Sequence, residues 1–178
     1  LRSSSSVFHG SDAVGGVIHL LTRRPSFEPG IRGRLSTGYG FVNAEKSGGV
    51  RLEGAFGRTA FLLSVQGRDA GNYHLPDGSP VRQSQYTQGS LLARISHRTD
   101  RRAVDLSFLG GRGLDIGKPN VTAETSPTWY PRENQNLLQF RWQEKNVGGA
   151  GELLLQAFAN PNFLETRTDT YRGPQPAG

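Results

Sequence analysis

The first residues whose types could do chemistry are a glycine-rich run, GSDAVGG at positions 10–16, which also carries a serine and an aspartate. A phosphate-binding loop of this kind needs a lysine directly after its second glycine, and Gly15 is followed by Gly16. A nucleophile elbow needs Gly-x-Ser-x-Gly, a spacing that Ser11 does not have. The run therefore predicts a tight turn, with glycines at positive φ, leading into a strand over residues 16–22.

Metal and thiol chemistry are not favoured either. His9 and His19 stand ten positions apart, with no further ligand at a zinc-like interval. The chain has no cysteine, so it offers neither a disulfide framework nor a thiol site. We expect no metal site, no cofactor and no catalytic residue.

Two later segments carry candidate residues. Residues 111–134, GRGLDIGKPNVTAETSPTWYPREN, are predicted to be a long loop that contacts a ligand, although an ordinary surface loop would have a similar composition. Its candidate ligand-binding residues are Arg112, Asp115, Lys118, Asn120, Trp129 and Tyr130. Residues 69–87 contain a weaker set that a hydrolase could use, namely Tyr73, His74, Asp77 and Ser84.

The elements that must position these residues are strands. Apolar residues alternate with polar ones, which is the strand period, and 24 glycines in 178 residues suit a chain with many turns. The predicted strands are residues 31–41, 47–56, 59–68, 88–96, 103–110, 136–143 and 151–158. The sequence thus predicts an all-β fold.

Charge follows the same alternation. Once the apolar residues of each strand are placed on one face, every charged residue within the strands falls on the other face. These charged residues are Arg32, Arg34, Arg51, Glu53, Arg68, Arg94, Asp105, Arg141 and Glu152. A soluble β-sandwich shows the same alternation, so this pattern leaves two architectures open.

The connections favour one of them. Short turns near residues 57–59, 99–100 and 145–149 alternate with long connections at 69–87 and 111–135, and a third long connection is expected to open at Asn160. Short turns at one end and long loops at the other, joined by strands of about ten residues, are typical of an outer-membrane barrel. The alternative is a soluble β-sandwich that binds a ligand.

Composition bears on two further classes. The formal net charge is +6, but the basic residues are scattered singly and do not form a run, so we expect no nucleic-acid partner. No stretch of about 18 apolar residues is present, which argues against a transmembrane helix. Because the chain starts at Leu1 and has no methionine, we expect it to be a piece of a longer protein.

The opening run resembles a family motif. SSSSVFHGSDAVGGVIHLLTRRP is similar to the segment that closes the plug domain of TonB-dependent outer-membrane receptors, which lies just before the first barrel strand. His9 and His19 stand where the family more often has Tyr and Asn. The matching positions are Phe8, Gly10, Ser11, Ala13, Gly15, Gly16, Val17 and Ile18, of which Gly10, Ser11, Gly15 and Gly16 form the structural plug motif.

The resemblance implies a partial transmembrane antiparallel β-barrel, about seven strands of a larger one. Residues 1–27 would be the end of the plug and residues 28–178 the first part of the barrel. The implied protein is a non-enzymatic transporter in the bacterial outer membrane that takes up a scarce nutrient, such as an iron-siderophore complex, haem, cobalamin or an oligosaccharide. Its implied partners are outer-membrane lipid, the nutrient and the inner-membrane energy-coupling protein TonB. The lumen arginines Arg32, Arg34, Arg51, Arg94 and Arg141 are candidates for holding the plug or attracting an anionic ligand.

Overall fold

The structure is a computed structural model that describes residues 22–119, 125–149 and 151–170. The plug motif Gly10, Ser11, Gly15 and Gly16, the strand expected over residues 16–22 for all but its last residue, and the candidate Asn120 lie outside the described residues. No helix in the described part of the chain is long and apolar enough to cross a membrane.

The described chain forms one antiparallel sheet, which does not close on itself. Seven strands follow one another in chain order across the sheet, and the eighth pairs with the sixth. The strands are β1 (Gly30–Gly40), β2 (Glu45–Phe56), β3 (Thr59–Ala70), β4 (Tyr86–Arg98), β5 (Arg102–Lys118), β6 (Thr128–Val147), β7 (Gly151–Ala159) and β8 (Phe163–Thr168). The predicted all-β fold is confirmed.

The register explains why the sheet has two unlike faces. Residues directly opposite each other on neighbouring strands share a face, and Val50 lies opposite Leu35 and Val65. On the other face Arg51 lies opposite Arg34 and Ser64. The predicted division into an apolar face and a polar, charged face is therefore confirmed within the predicted strands, whereas Lys46 and Asp69, just beyond them, lie on the apolar face.

The sheet is a single layer, and its apolar face is exposed. Leu35 is 73% exposed, Val65 49% and Leu106 44%. Only Ala55, Ala60, Leu62 and Ala70 are fully buried hydrophobic residues in the described chain. Within residues 22–119, 125–149 and 151–170, no second layer covers the apolar face.

The two ends of the sheet differ as predicted. At one end, called the turn end, Gly57 at φ 55° makes the tight β2–β3 turn, and the Arg98 N–H donates to the Arg58 carbonyl at 2.9 Å. At the other end, called the loop end, lie the connections at 41–44 and 71–85 and the described ends of the connection between β5 and β6, residues 119 and 125–127. There the Gly71 N–H donates to the Asn43 carbonyl at 2.9 Å.

The predicted loop over residues 111–134 is mostly strand, so that prediction is wrong. β5 continues to Lys118, and β6 begins at Thr128, so the connection covers only residues 119–127. The glycines of residues 111–134 concealed the end of β5 in the sequence pattern, because glycine has no side chain that could show the alternation of apolar and polar residues. A Cβ at Gly113 would lie 2.3 Å from the Ile116 Cδ1, so the Ile116 side chain would have to move to admit it.

The long connection expected at Asn160 is also wrong. β7 pairs with residues 138–147 of β6, and β8 pairs with residues 128–134 of the same strand. The two are therefore successive parts of one edge strand that is interrupted near Pro161. Asn136 bridges the gap, because its backbone N–H donates to Asn162 Oδ1 at 3.0 Å and its Nδ2 donates to the Pro161 carbonyl at 3.2 Å.

Candidate functional site

Residues 22–29, called the linker, lie across the polar face at the turn end of the sheet. Arg23 forms an ion pair with Glu53 of β2 at 3.0 Å, and the Arg94 Nη1 of β4 donates to the Arg23 carbonyl at 3.2 Å. The guanidinium of Arg98 lies 4.4 Å from the centre of the Phe27 ring. The linker is thus attached to two strands of the sheet by charge, hydrogen bonding and a cation–π contact.

The most buried large side chain of the polar face, Leu62, lies in the same region as the linker contacts. Leu62 lies in the ladder between Glu53 and Arg94, the two residues that contact Arg23. Leu62 is only 1% exposed, and Pro25 of the linker is buried as well. An apolar residue of the linker and one of the sheet are thus both buried in the region where Arg23 contacts the wall.

The part of the polar face nearer the loop end holds an open cavity of about 610 Å³, called the upper cavity. Its wall combines glycines with hydroxyl and amide side chains and few charges. The lining residues include Ser36, Ser47, Gln66, Arg68, Gln88, Ser90, Arg112, Glu133 and Gln135. Amides and hydroxyls both donate and accept hydrogen bonds, so this wall suits a polar, hydrogen-bonding ligand.

Arg68 is held firmly in that wall. Its Nε donates to the Gln88 Oε1 at 2.9 Å, and its guanidinium lies 5.1 Å from the centre of the Tyr86 ring. Across the cavity, the Gln135 Nε2 donates to the Glu133 Oε1 at 2.6 Å. These contacts fix the positions of a cation and a carboxylate on the cavity wall.

The predicted ligand-binding residues that are described all lie on the β5–β6 hairpin. Arg112, Asp115 and Lys118 belong to β5, and Trp129 and Tyr130 belong to β6. The register places Trp129 opposite Gly117, and the Lys118 Nζ lies 4.8 Å from the centre of the Tyr130 ring. The structure therefore brings Lys118 and Tyr130 into contact at the tip of the hairpin. Trp129, the neighbour of Tyr130 in β6, lies on the opposite face of the strand.

Arg112 and Asp115 are not part of that group. Arg112 lies about 20 Å along the strand from Lys118, at about 3.4 Å per residue, and it lines the upper cavity. Asp115 has a φ of 48°, a left-handed conformation that interrupts the alternation of β5. The described candidates form one contacting pair, Lys118 and Tyr130, and three separate positions.

Sequence reasoning missed the other residues of the upper cavity. Ser47, Arg68 and Gln88 lie opposite one another on β2, β3 and β4. Each was visible as a polar residue on a predicted strand or just beyond its end. The signal that could have identified them is that they lie opposite one another on neighbouring strands. Seeing this requires the register between the strands, which the sequence pattern does not give.

The 71–85 connection is organised by Asn72 and Ser84. The Asn72 Oδ1 accepts from the backbone N–H groups of Ser84 at 2.9 Å and Gln85 at 3.1 Å. The Ser84 hydroxyl donates to the Val81 carbonyl at 2.6 Å and accepts from the Tyr73 N–H at 3.0 Å. This hydroxyl serves the loop's own backbone, so the geometry does not favour a nucleophile.

The same connection is fixed to the hairpin and contains one perturbed carboxyl group. The Gly117 N–H of β5 donates to the Gln85 carbonyl at 2.9 Å. Two hydrogen bonds hold the pKa of Asp77 below its ordinary value. The larger effect comes from the Ser79 hydroxyl and the next from the Ser79 backbone N–H. Among the described residues, no group of three or more His, Cys, Asp or Glu residues could hold a metal ion.

Comparison with known proteins gives no relative. No family model matches the chain, and neither a curated protein nor a solved structure matches it.

Proposed function

We propose that this chain is part of a TonB-dependent receptor of the bacterial outer membrane. Residues 1–27 are the end of its plug, and residues 28–178 are the first part of its β-barrel. The whole protein takes up a scarce nutrient from outside the cell, using energy supplied through TonB. It carries out no bond chemistry.

The observation that carries the proposal is the exposed apolar face, bounded at both ends by polar pairs. On β3 the outward residues Phe61, Leu63 and Val65 lie between Thr59 and Asp69. The Thr59 hydroxyl and the His97 Nδ1 are 2.9 Å apart at the turn end. At the loop end the Thr87 hydroxyl donates to the Asp69 carboxylate.

The height of this apolar band suits a bilayer. From Thr59 to Asp69 an extended strand covers about 34 Å, at about 3.4 Å per residue. At the tilt of about 40° that barrel strands adopt, this is about 26 Å across the membrane, close to the apolar band of about 25 Å on outer-membrane barrels. Lipid is the partner that would cover such a face without a second protein layer.

The polar face supports the second half of the proposal. It carries the charged residues of the predicted strands, the upper cavity and the linker. In a barrel this face lines the lumen, and the linker leads from the plug to β1. The Arg23–Glu53 ion pair and the Arg94 contact would then join the linker to the wall at the periplasmic end.

Sidedness gives a direct experiment, because the chain contains no cysteine. In the full-length protein, freed of any other cysteine, Ser126→Cys at the loop end should react with a membrane-impermeant maleimide on intact cells. Asp100→Cys at the turn end should react only after the outer membrane is opened. Reaction of Asp100→Cys on intact cells, or recovery of the protein in the soluble fraction, would contradict the proposal and favour the soluble β-sandwich.

The transported nutrient can be tested genetically. A strain that lacks the gene should lose growth on one supply among ferric siderophores, haem, cobalamin and oligosaccharides. Loss of TonB should remove growth on that same supply. Unchanged growth on every supply would contradict a role in uptake.

A further inference from the structure

A second cavity, of about 220 Å³, lies where the linker meets the wall. It is called the junction cavity. Arg24 of the linker lines it together with Arg94 of β4 and Arg141 of β6. Asp105 and Gln139 contribute polar groups from β5 and β6. The sequence separates these residues widely, and only the fold brings them to one place.

The charges in the junction cavity are unbalanced. Three guanidinium groups face one carboxylate, and the Asp105 carboxylate already accepts a hydrogen bond from the Ser96 hydroxyl. The ion pairs found in the described chain use other arginines, at positions 23, 32, 58 and 102. Arg24, Arg94 and Arg141 therefore have no carboxylate oxygen within ion-pair distance among the described residues.

Arg94 points most clearly to a missing ligand. Its Nη1 donates to the Arg23 carbonyl at 3.2 Å, whereas its Nε is buried and has no hydrogen-bond partner in the described structure. A buried donor without a partner costs free energy, more so in a charged group. An anion within reach of this guanidinium would supply the acceptor.

We propose that the junction cavity binds a small multivalent oxyanion, such as inorganic phosphate or a phosphate monoester. Guanidinium groups bind such oxygens through paired N–H donors. An anion between Arg24, Arg94 and Arg141 would offset the repulsion among them. The cavity is smaller than the range of about 300 to 1,000 Å³ for drug-sized ligands, which favours a small anion over a whole nutrient complex.

The site has a consequence for the linker. Arg24 belongs to the linker, and the other two arginines belong to the wall. An anion bound by all three joins the linker to the wall, so its binding stabilises the docked linker by mass action. The junction cavity is thus a site at which an anion controls how firmly the linker is attached.

Binding can be measured by titrating inorganic phosphate into the full-length protein in a calorimeter, at constant ionic strength set with chloride. The proposal predicts saturable binding that weakens by about tenfold in Arg94→Gln and in Arg141→Gln, because each loses a charged hydrogen bond. Arg34→Gln is the matched control. It also removes a polar-face arginine, but Arg34 does not line the cavity, and binding should stay within about twofold of wild type.

A second readout follows the linker itself. Trypsin cleaves after Arg23 but not between Arg24 and Pro25, and phosphate should slow cleavage after Arg23 in the wild type and in Arg34→Gln. In Arg141→Gln, whose substitution lies on the wall, protection should require about tenfold more phosphate than in the wild type. No saturable binding in the wild type, an equal loss in Arg34→Gln, or protection of Arg141→Gln at the same phosphate concentration as the wild type would each overturn the proposal.

Discussion

Val65 offers the sharpest test of the apolar face. It lies near the middle of the band between Thr59 and Asp69, is 49% exposed and has Val50 and Leu91 as cross-strand neighbours. An arginine on the lipid face near the midplane costs about 2 to 4 kcal/mol. The substitution also removes the favourable transfer of the exposed half of the valine side chain from water to an apolar environment, which contributes about 1 kcal/mol. We expect Val65→Arg to lower the free energy of unfolding by about 3 to 5 kcal/mol.

The matched control is the next residue, Gln66, which is exposed on the opposite face and lines the upper cavity. Gln66→Arg should cost less than about 1 kcal/mol, because the charge stays in water. Urea unfolding of the full-length protein in lipid vesicles measures both variants, with the slope checked for constancy. Equal losses in the two variants, or a larger loss in Gln66→Arg, would refute the assignment of faces.

Three further predictions concern the linker and the loop end. Glu53→Gln removes the carboxylate partner of Arg23 and should speed tryptic cleavage after Arg23 about fivefold, since such a pair is worth about 1 kcal/mol; an unchanged rate would show that the ion pair does not hold the linker. Gly117→Ala places a Cβ 2.3 Å from the Gln83 carbonyl, and proteolysis should show the 71–85 connection displaced at a cost of about 1 to 3 kcal/mol while the sheet is retained. The lowered pKa of Asp77 means that its stabilising contribution is present above the ordinary value of 3.8 and is lost as pH falls through the lower folded value. The hydrogen-exchange protection factor of the Ser79 amide should therefore fall in acid, and Ser79→Ala should reduce the pKa shift, because it removes the hydroxyl and keeps the backbone N–H.

The strands and their faces could be predicted because both depend on local alternation. Tight turns such as Gly57–Arg58 then fix the register, and a slip of one residue would turn Val50 and Val65 to the wrong face. The upper parts of β5 and β6 could not be found this way. Residues 110–113 are mostly glycine, and Pro131 interrupts the side-chain pattern of β6. The pairing of these two segments therefore depends on backbone hydrogen bonds to the partner strand, which the side-chain pattern does not show.

The sites show the same limit. Lys118, Trp129 and Tyr130 could be selected by residue type, and the hairpin brings Lys118 and Tyr130 into contact. The upper cavity and the junction cavity depend on rows that cross four or more strands and, in the second case, on the linker. Residue type alone did not distinguish Arg94 and Arg141 from the other arginines on the polar face, since only their position beside Arg24 makes them a group.

The proposed contact between the apolar face and lipid can be tested residue by residue along β3. Single cysteines introduced at positions 63, 64, 65 and 66 of the full-length protein in lipid vesicles would carry nitroxide labels, and their accessibility to oxygen and to a water-soluble nickel complex would be compared. Labels at Leu63 and Val65 should be reached by oxygen, which concentrates in the bilayer, and labels at Ser64 and Gln66 by the nickel complex. Nickel accessibility at all four positions, or oxygen accessibility at 64 and 66 in place of 63 and 65, would contradict a lipid-facing apolar surface.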